Sequence, residues 1–408
     1  MKLRLPQLCW HGDTELELEF PGAWDVSLCA MRGHHNPKLT EDEFRYAFNH
    51  PIGSAPIREV AQGKKEVALL FDDMSRPTRV AQLLPYILDE LELAGVPDDG
   101  IRLIAATGAH GAMNGVDFQK KLGMDVLERF PIYNHNPYEN CVLLGKTSRG
   151  TPLSINSEVM SCDLKIGIGV IVPHPTTGFG GGSKIILPGV AAIDTIEAMH
   201  ALAQSERTAT GLGKFNGNPA RLDVEEAMRM AGLDIKVDVL INGKGEMAGL
   251  FVGDPIAAHH EGVMKAMEVY ATDRVSGANV VVANVYAKVN EAWLALAVGA
   301  QLMDDAGGDL VVIANSPEGQ ITHYLLRSFG KNVGGRLWRP RSRLPRKVKR
   351  LIIMAPYADR TAADVLGPPE SIIWAKTWGQ VIEEIGAGHN GNVRIAVLPD
   401  ATIQYFRG

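Results

Sequence analysis

A chain of 408 residues is longer than one ordinary hydrophobic core supports, so two domains are expected. Its 46% hydrophobic and 22% charged residues are those of a soluble globular protein, and a net charge of −6 argues against a broad footprint for nucleic acid or an anionic membrane. The four cysteines (Cys9, Cys29, Cys141, Cys162) lack zinc-like spacing. Together with an N-terminus that has no signal-peptide core and no apolar run of the ~20 residues that cross a bilayer, they point to the cytoplasm.

In chain order, Leu16–Phe20 alternates apolar and polar residues and predicts a half-buried strand. Thr40 opens a helix with an acidic first turn that ends near Pro51. Val67–Phe71 is a continuous apolar run suited to a central parallel strand, and it stops at Asp72-Asp73-Met74-Ser75-Arg76-Pro77-Thr78. A helix over 80–94 and a strand over Ile101–Ala106 follow, and that strand delivers Thr107-Gly108-Ala109-His110. A helix over 116–130 completes the repeat. Leu164–Val172 reads as a buried strand entering the loop His174-Pro175-Thr176-Thr177-Gly178-Phe179-Gly180-Gly181-Gly182-Ser183-Lys184, and 191–204 as the helix leaving it. Asp194 and Glu197 have capping-box spacing at that helix start, and His200 falls on its inward face. A helix over 221–232, a hairpin over 235–251 and a helix over 256–270 come next. A second alternation of strands (278–283, 309–314, 351–355, 393–398) and helix (291–306) begins near residue 273.

This alternation predicts an α/β protein of two domains, residues 1–272 and 273–408, each with a mostly parallel sheet flanked by helices. Ligands in such sheets bind beyond the carboxyl ends of the strands. Three of those ends carry Asp73 with Arg76, His110, and His174 with Lys184. The basic cluster Arg339, Arg341, Arg343, Arg346, Lys347, Lys349 and Arg350 has no interleaved aromatics and reads as a solvated linker or rim rather than an RNA site.

Lys184 after a glycine run suggests a P-loop, but the glycine before it is Ser183 and the hydroxyl after it is replaced by Ile185, which removes the magnesium ligand. The glycine loop still offers main-chain N–H groups for a phosphate, and Lys184 suits a Schiff base with pyridoxal phosphate. Two imidazoles at separate strand ends suit an acid/base pair. His200 reads as packing or as a ligand for nickel, copper or zinc. Asp73 and Arg76 read as an ion pair or an anion site. A binding protein for small acids without turnover remains a third reading.

The strings Asp73-x-x-Arg76-Pro77, Thr107-Gly108-x-His110 and His174-Pro-x-x-Gly178-Phe-x-Gly-Gly-x-Lys184-x-x-x-Pro188-Gly189, followed by His200, resemble the nickel-pincer-nucleotide lactate racemase family. Asn49-His50-Pro51-Ile52-Gly53-Ser54 and Gly253-Asp254-Pro255 with His260 are similar but weaker matches. The resemblance spans most of the first domain and much less of the second. It implies a nickel-bearing pyridinium mononucleotide (pyridinium-3-thioamide-5-thiocarboxylic acid mononucleotide) in an interdomain cleft, joined covalently to Lys184 and ligated at nickel by His200. It further implies His110 and His174 as the acid/base pair and Arg76 as a substrate contact. Asp73, Thr107, Gly108, Gly180, Gly181, Gly182 and Ser183 would line the cofactor. The implied partners are a small 2-hydroxy acid and cofactor-making proteins, and a homo-oligomer is left open.

One segment departs from the family. The lactate enzymes carry Tyr-Gln and then a substrate-holding lysine near the start of the second domain. The corresponding stretch here is Tyr286-Ala287-Lys288-Val289-Asn290-Glu291-Ala292-Trp293-Leu294-Ala295-Leu296. Trp293 stands near the glutamine position, an aliphatic residue replaces the lysine, and Lys288 is the candidate substitute. A 2-hydroxy acid other than lactate is therefore expected.

Overall fold

The computed structural model describes residues 1–361, 363–389 and 391–407. It divides into two compact units, one of residues 36–242 with 246–268, the other of 1–35, 243–245 and 269–408.

The first unit is built on a six-stranded sheet. Its order is Met247–Gly253, Ile235–Ile241, Leu164–Val170, Val67–Asp72, Ile101–Ala106, Ile132–Asn134. All neighbours are parallel except the outermost pair, Ile235–Ile241 with Met247–Gly253. Val67–Phe71 and Leu164–Val170 are fully buried, which accounts for their unbroken apolar character. The chain runs outward from Val67–Asp72 in one direction, then returns to add Leu164–Val170 on its other side. The order reverses between these two strands, and a crevice at such a switch point is where open sheets place ligands.

Two glycines in Leu164–Val170, Gly167 and Gly169, share one face. A Cβ on Gly167 would meet Ile185 at 2.7 Å, and one on Gly169 would lie 3.3 Å from both Asp72 and Lys236. Their lack of side chains admits the turn Gly182–Ile185 and a buried polar group beneath it.

The second unit carries a six-stranded, all-parallel sheet ordered Ile372–Ala375, Val348–Met354, Gly308–Ile313, Val280–Asn284, Arg394–Leu398, Asp25–Leu28. Its apolar core joins Val282, Val311, Ile352 and Val397 with Leu5 and Leu18 of the hairpin Lys2–Gln7/Thr14–Glu19 and with Phe20 just after it. The first 35 residues thus belong with the C-terminal half, a correction to the expected division at 272. The cause is Asp25–Leu28, which pairs with Arg394–Leu398 and is too short to show a pattern.

Several helices are shorter than their periodicity suggests. The span 116–130 breaks at Gly123 (φ 87°) into Gly115–Leu122 and Met124–Arg129. The span 80–94 starts as a 3-10 turn ahead of Leu84–Leu93, and 291–306 contains only Ala292–Gly299 as helix. The Asp194/Glu197 capping box does not form. The helix starts at Ile193, and the N–H groups of Ala192 and Ile193 bond instead to Ser154 O (2.9 Å) and Pro137 O (2.8 Å). Among the described residues no helix is long and apolar enough to cross a membrane.

Candidate active site

The turn after Val67–Asp72 is set from below by Lys121, whose side chain is fully buried. Its ammonium lies 2.7 Å from Asp72 Oδ1 and donates to the carbonyls of Asp73 (2.9 Å) and Arg76 (3.0 Å). Thr78 Oγ1 donates to Asp72 Oδ2 at 2.5 Å. The turn is thereby pinned at both ends, with Asp73 and Arg76 at its crest.

Asp73 is buried and faces His110, with Oδ2 2.6 Å from Nδ1. Its other oxygen, Oδ1, accepts from the Ser75 amide (2.9 Å) and hydroxyl (2.5 Å). Burial alone would raise the carboxyl. The charge and hydrogen bond of His110, then Arg76 and Ser75, outweigh it and hold Asp73 well below the usual carboxylate range. Arg76 Nη1 donates to Ser75 O (3.0 Å) and Oγ (2.8 Å).

His110 follows Ile101–Ala106 on one side of the central strand, and His174 follows Leu164–Val170 on the other. Gly108 (φ 57°) brings the first of these ends against the glycine loop: its N–H bonds Gly189 O at 2.9 Å, and a Cβ would press on Pro188 O at 3.2 Å. Thr107 is buried and its hydroxyl donates to His135 O at 3.3 Å. His174 Nδ1 accepts from the Thr176 amide (3.2 Å) and lies 2.9 Å from Thr176 Oγ1.

The glycine loop is a small hairpin, Pro173–His174 against Gly178–Phe179, leading to the 3-10 turn Gly182–Ile185 that carries Lys184. Behind it stands a buried polar group that sequence reasoning missed. Gly182 N donates to Asp238 Oδ2 (2.7 Å), and Asp238 pairs with Lys236 (2.6 Å). His259 Nε2 lies 2.9 Å from Gly180 O, and Arg221 donates to Phe179 O. The visible signal was Lys236 and Asp238 inside an otherwise apolar strand. Gly180 N bonds Val172 O (2.7 Å) and Lys184 N bonds Gly181 O (3.3 Å). The amides of 180, 182 and 184 are thus satisfied within the protein and are not free for the phosphate cradle considered from sequence. Ser183 is buried, and its hydroxyl has no protein partner.

His200, on the helix Ile193–Ser205, is partly buried, and its Nδ1 lies 2.8 Å from Ile196 O. Burial first, then the charges of Lys184 and His110, push it down to about 4, against the opposing Ile196 bond. The ring is therefore neutral near neutral pH, with Nδ1–H donating and the lone pair on Nε2. Its coupling to Lys184 and His110 places the three in one neighbourhood, joined through His110 to Asp73 and Arg76. Among the described residues no group of three or more His, Cys, Asp or Glu side chains is disposed to hold a metal.

Lys288 and Trp293 lie in the other unit. Lys288 is fully buried, 3.9 Å from Glu291, and Trp293 is partly buried on Ala292–Gly299.

The fold and site define an α/β protein whose ionisable residues gather at a switch point. Residues 11–211 match the lactate racemase N-terminal domain. The lactate racemase of Thermoanaerobacterium thermosaccharolyticum is 28% identical over 276 residues, 67% of this chain and 64% of that one. The chain thus matches a little under two thirds of that relative's length. The lactate racemase of Lactiplantibacillus plantarum is 28% identical over 296 residues, covering 70% and 68%. The solved lactate racemase apoprotein from T. thermosaccharolyticum shares the fold over 100% of both chains (TM-score 0.78, 21% identity). A structural-genomics protein from Thermotoga maritima does so over 91% of this chain and 100% of its own (TM-score 0.66, 17% identity).

Proposed function

We propose that this protein is a racemase or epimerase that inverts C2 of a 2-hydroxy acid. The observation that carries the reading is the placement of His110 and His174 after the two strands flanking Val67–Asp72, whose own end presents Arg76. Inversion needs a proton acceptor for one enantiomer and a donor for the other, and two imidazoles supply both. Arg76 is the group suited to fix the substrate carboxylate, and a fixed carboxylate keeps C2 in register with the acid/base pair.

The residues fit a nickel-pincer nucleotide. His200 is a neutral imidazole with Nδ1 committed to a carbonyl, the usual arrangement of a metal-binding histidine. It stands as a single protein ligand, which suits a metal whose other ligands come from a bound group. Lys184 lies in the same neighbourhood and would carry the covalent link, with Thr107, Gly108, Gly180, Gly181, Gly182 and Ser183 around it. When bound, the group supplies an acceptor for the C2 hydride. The chain's own part is then to hold the acid by Arg76 and to move the hydroxyl proton at His110 and His174. Cofactor-making proteins are the partners this reading requires.

The departure over 286–296 favours an acid other than lactate, with Lys288 and Trp293 as proposed determinants of the choice. The test is a panel of chiral 2-hydroxy acids incubated with cofactor-loaded protein and resolved by chiral chromatography. Scrambling of at least one acid, with lactate slow or inert, is expected. Retention of configuration across the panel would remove the activity, and brisk lactate turnover would remove the substrate inference.

A further inference from the structure

We propose that the two histidines of the site are held in opposite tautomers, with Asp73 and the Thr176 amide as the positioning groups that set them. His110 then rests with a lone pair on Nε2, ready to take a proton, while His174 rests with a hydrogen on Nε2, placed to donate a hydrogen bond to the substrate oxygen. The inference deepens the acid/base reading above and rests on it for its catalytic meaning, but the tautomers are observable without turnover.

The assignment for His110 follows from what its partner can do. Asp73 is 5% exposed, its Oδ1 already accepts from the Ser75 amide and hydroxyl, and as a carboxylate it only accepts, so Oδ2 at 2.6 Å receives a hydrogen from Nδ1. In its neutral form the ring then keeps its lone pair on Nε2. Once Nε2 takes the hydroxyl proton, the resulting imidazolium faces the Asp73 carboxylate, which stabilises it. For His174 the logic inverts. A main-chain N–H only donates, so the Thr176 amide at 3.2 Å makes Nδ1 the acceptor and leaves the ring hydrogen on Nε2. The Thr176 hydroxyl at 2.9 Å can donate to Nδ1 as well, or accept from it once the ring is protonated, so it tolerates either state while the amide favours one.

Ser75 makes Asp73 testable. Its N–H holds Asp73 Oδ1 at 2.9 Å. In Asp73→Asn that N–H keeps the amide oxygen, which turns the Asn NH2 toward His110. A donor facing Nδ1 forces the ring hydrogen onto Nε2, the wrong tautomer for a base.

The experiment is a two-bond 1H–15N correlation on protein labelled with [15N]histidine, at mildly alkaline pH, with resonances assigned by their loss in His110→Gln and His174→Gln. Wild-type protein is expected to show His110 protonated at Nδ1 and His174 at Nε2. Asp73→Asn is expected to move the His110 hydrogen to Nε2 and to lower kcat by roughly 10²–10⁴-fold with KM little changed. Its intact-mass adduct on Lys184 and its nickel content should match wild type. Like tautomers on the two wild-type rings, an unmoved His110 tautomer in Asp73→Asn, or lost cofactor loading in that variant would each overturn the proposal. The last outcome would make Asp73 a cofactor contact instead. Opposite tautomers in a wild-type protein that scrambles no acid would sink the racemase reading while leaving the tautomer assignment intact.

Discussion

The ring of His259 occupies the space that a side chain on Gly182 would need. A Cβ there would fall 2.5 Å from the ring, while His259 Nε2 bonds Gly180 O at 2.9 Å. Gly182 also has φ 58°, which disfavours any Cβ. Gly182→Ala is therefore expected to cost about 2–4 kcal/mol, combining backbone strain and overpacking. Urea denaturation measures it. The double variant with His259→Ala should lose less than the sum of the two single changes, because one removes the clash the other creates.

Lys121 links the turn after Val67–Asp72 to the core. Removing its ammonium leaves the Asp72 carboxylate without its paired cation and two carbonyls without their donor. Lys121→Met should destabilise the protein by about 3–5 kcal/mol. Adding Asp72→Asn should recover part of the loss, since it removes the stranded charge. Simple additivity of the two in denaturation would contradict the ion pair.

Acid sensitivity has an identifiable source in His135. The ring is 3% exposed, with Nε2 2.9 Å from Ala191 O and Nδ1 3.1 Å from Asn156 Nδ2. Burial pushes it down to about 4, only partly offset by the Ala191 bond, against 6.5 in the open chain. Below pH 6.5 the unfolded chain takes a proton that the folded ring refuses, so stability falls as pH drops from about 6.5 to about 4. The contribution is roughly 3 kcal/mol, fully present above that window. Denaturation midpoints measured across this range should fall more steeply for wild type than for His135→Gln. Parallel curves would assign the acid sensitivity elsewhere.

The proposed cofactor chemistry separates two residues. In protein co-produced with the cofactor-making enzymes, Lys184→Arg should abolish the mass adduct. His200→Ala should keep the adduct and lose nickel, read by intact mass and metal analysis. Loss of both in His200→Ala would mean that metal and attachment are not independent.

The central strands were legible because full burial writes itself as a continuous apolar run, as in Val67–Phe71. The site's strand ends were legible because glycine, histidine and lysine are costly to place in an idle loop. Partnerships across the sheet were not. His110 and Asp73 are 37 residues apart, and His259 reaches Gly180 across 79. Such pairs obey no local period. Helix lengths failed where Gly123 or a tertiary amide partner, as at Ala192, overrode amphipathic spacing.

Asp25–Leu28 adds a temporal constraint. Its partner strand, Arg394–Leu398, is made long after it. On the ribosome the site-bearing sheet, whose strands all lie between residues 67 and 253, can assemble while synthesis continues. Asp25–Leu28 must meanwhile wait, its strand edge open, until Arg394–Leu398 has emerged. Cutting this protein at residue 272 would therefore not yield two self-sufficient halves. A C-terminal piece begins to make structural sense only when residues 1–35 are supplied with it.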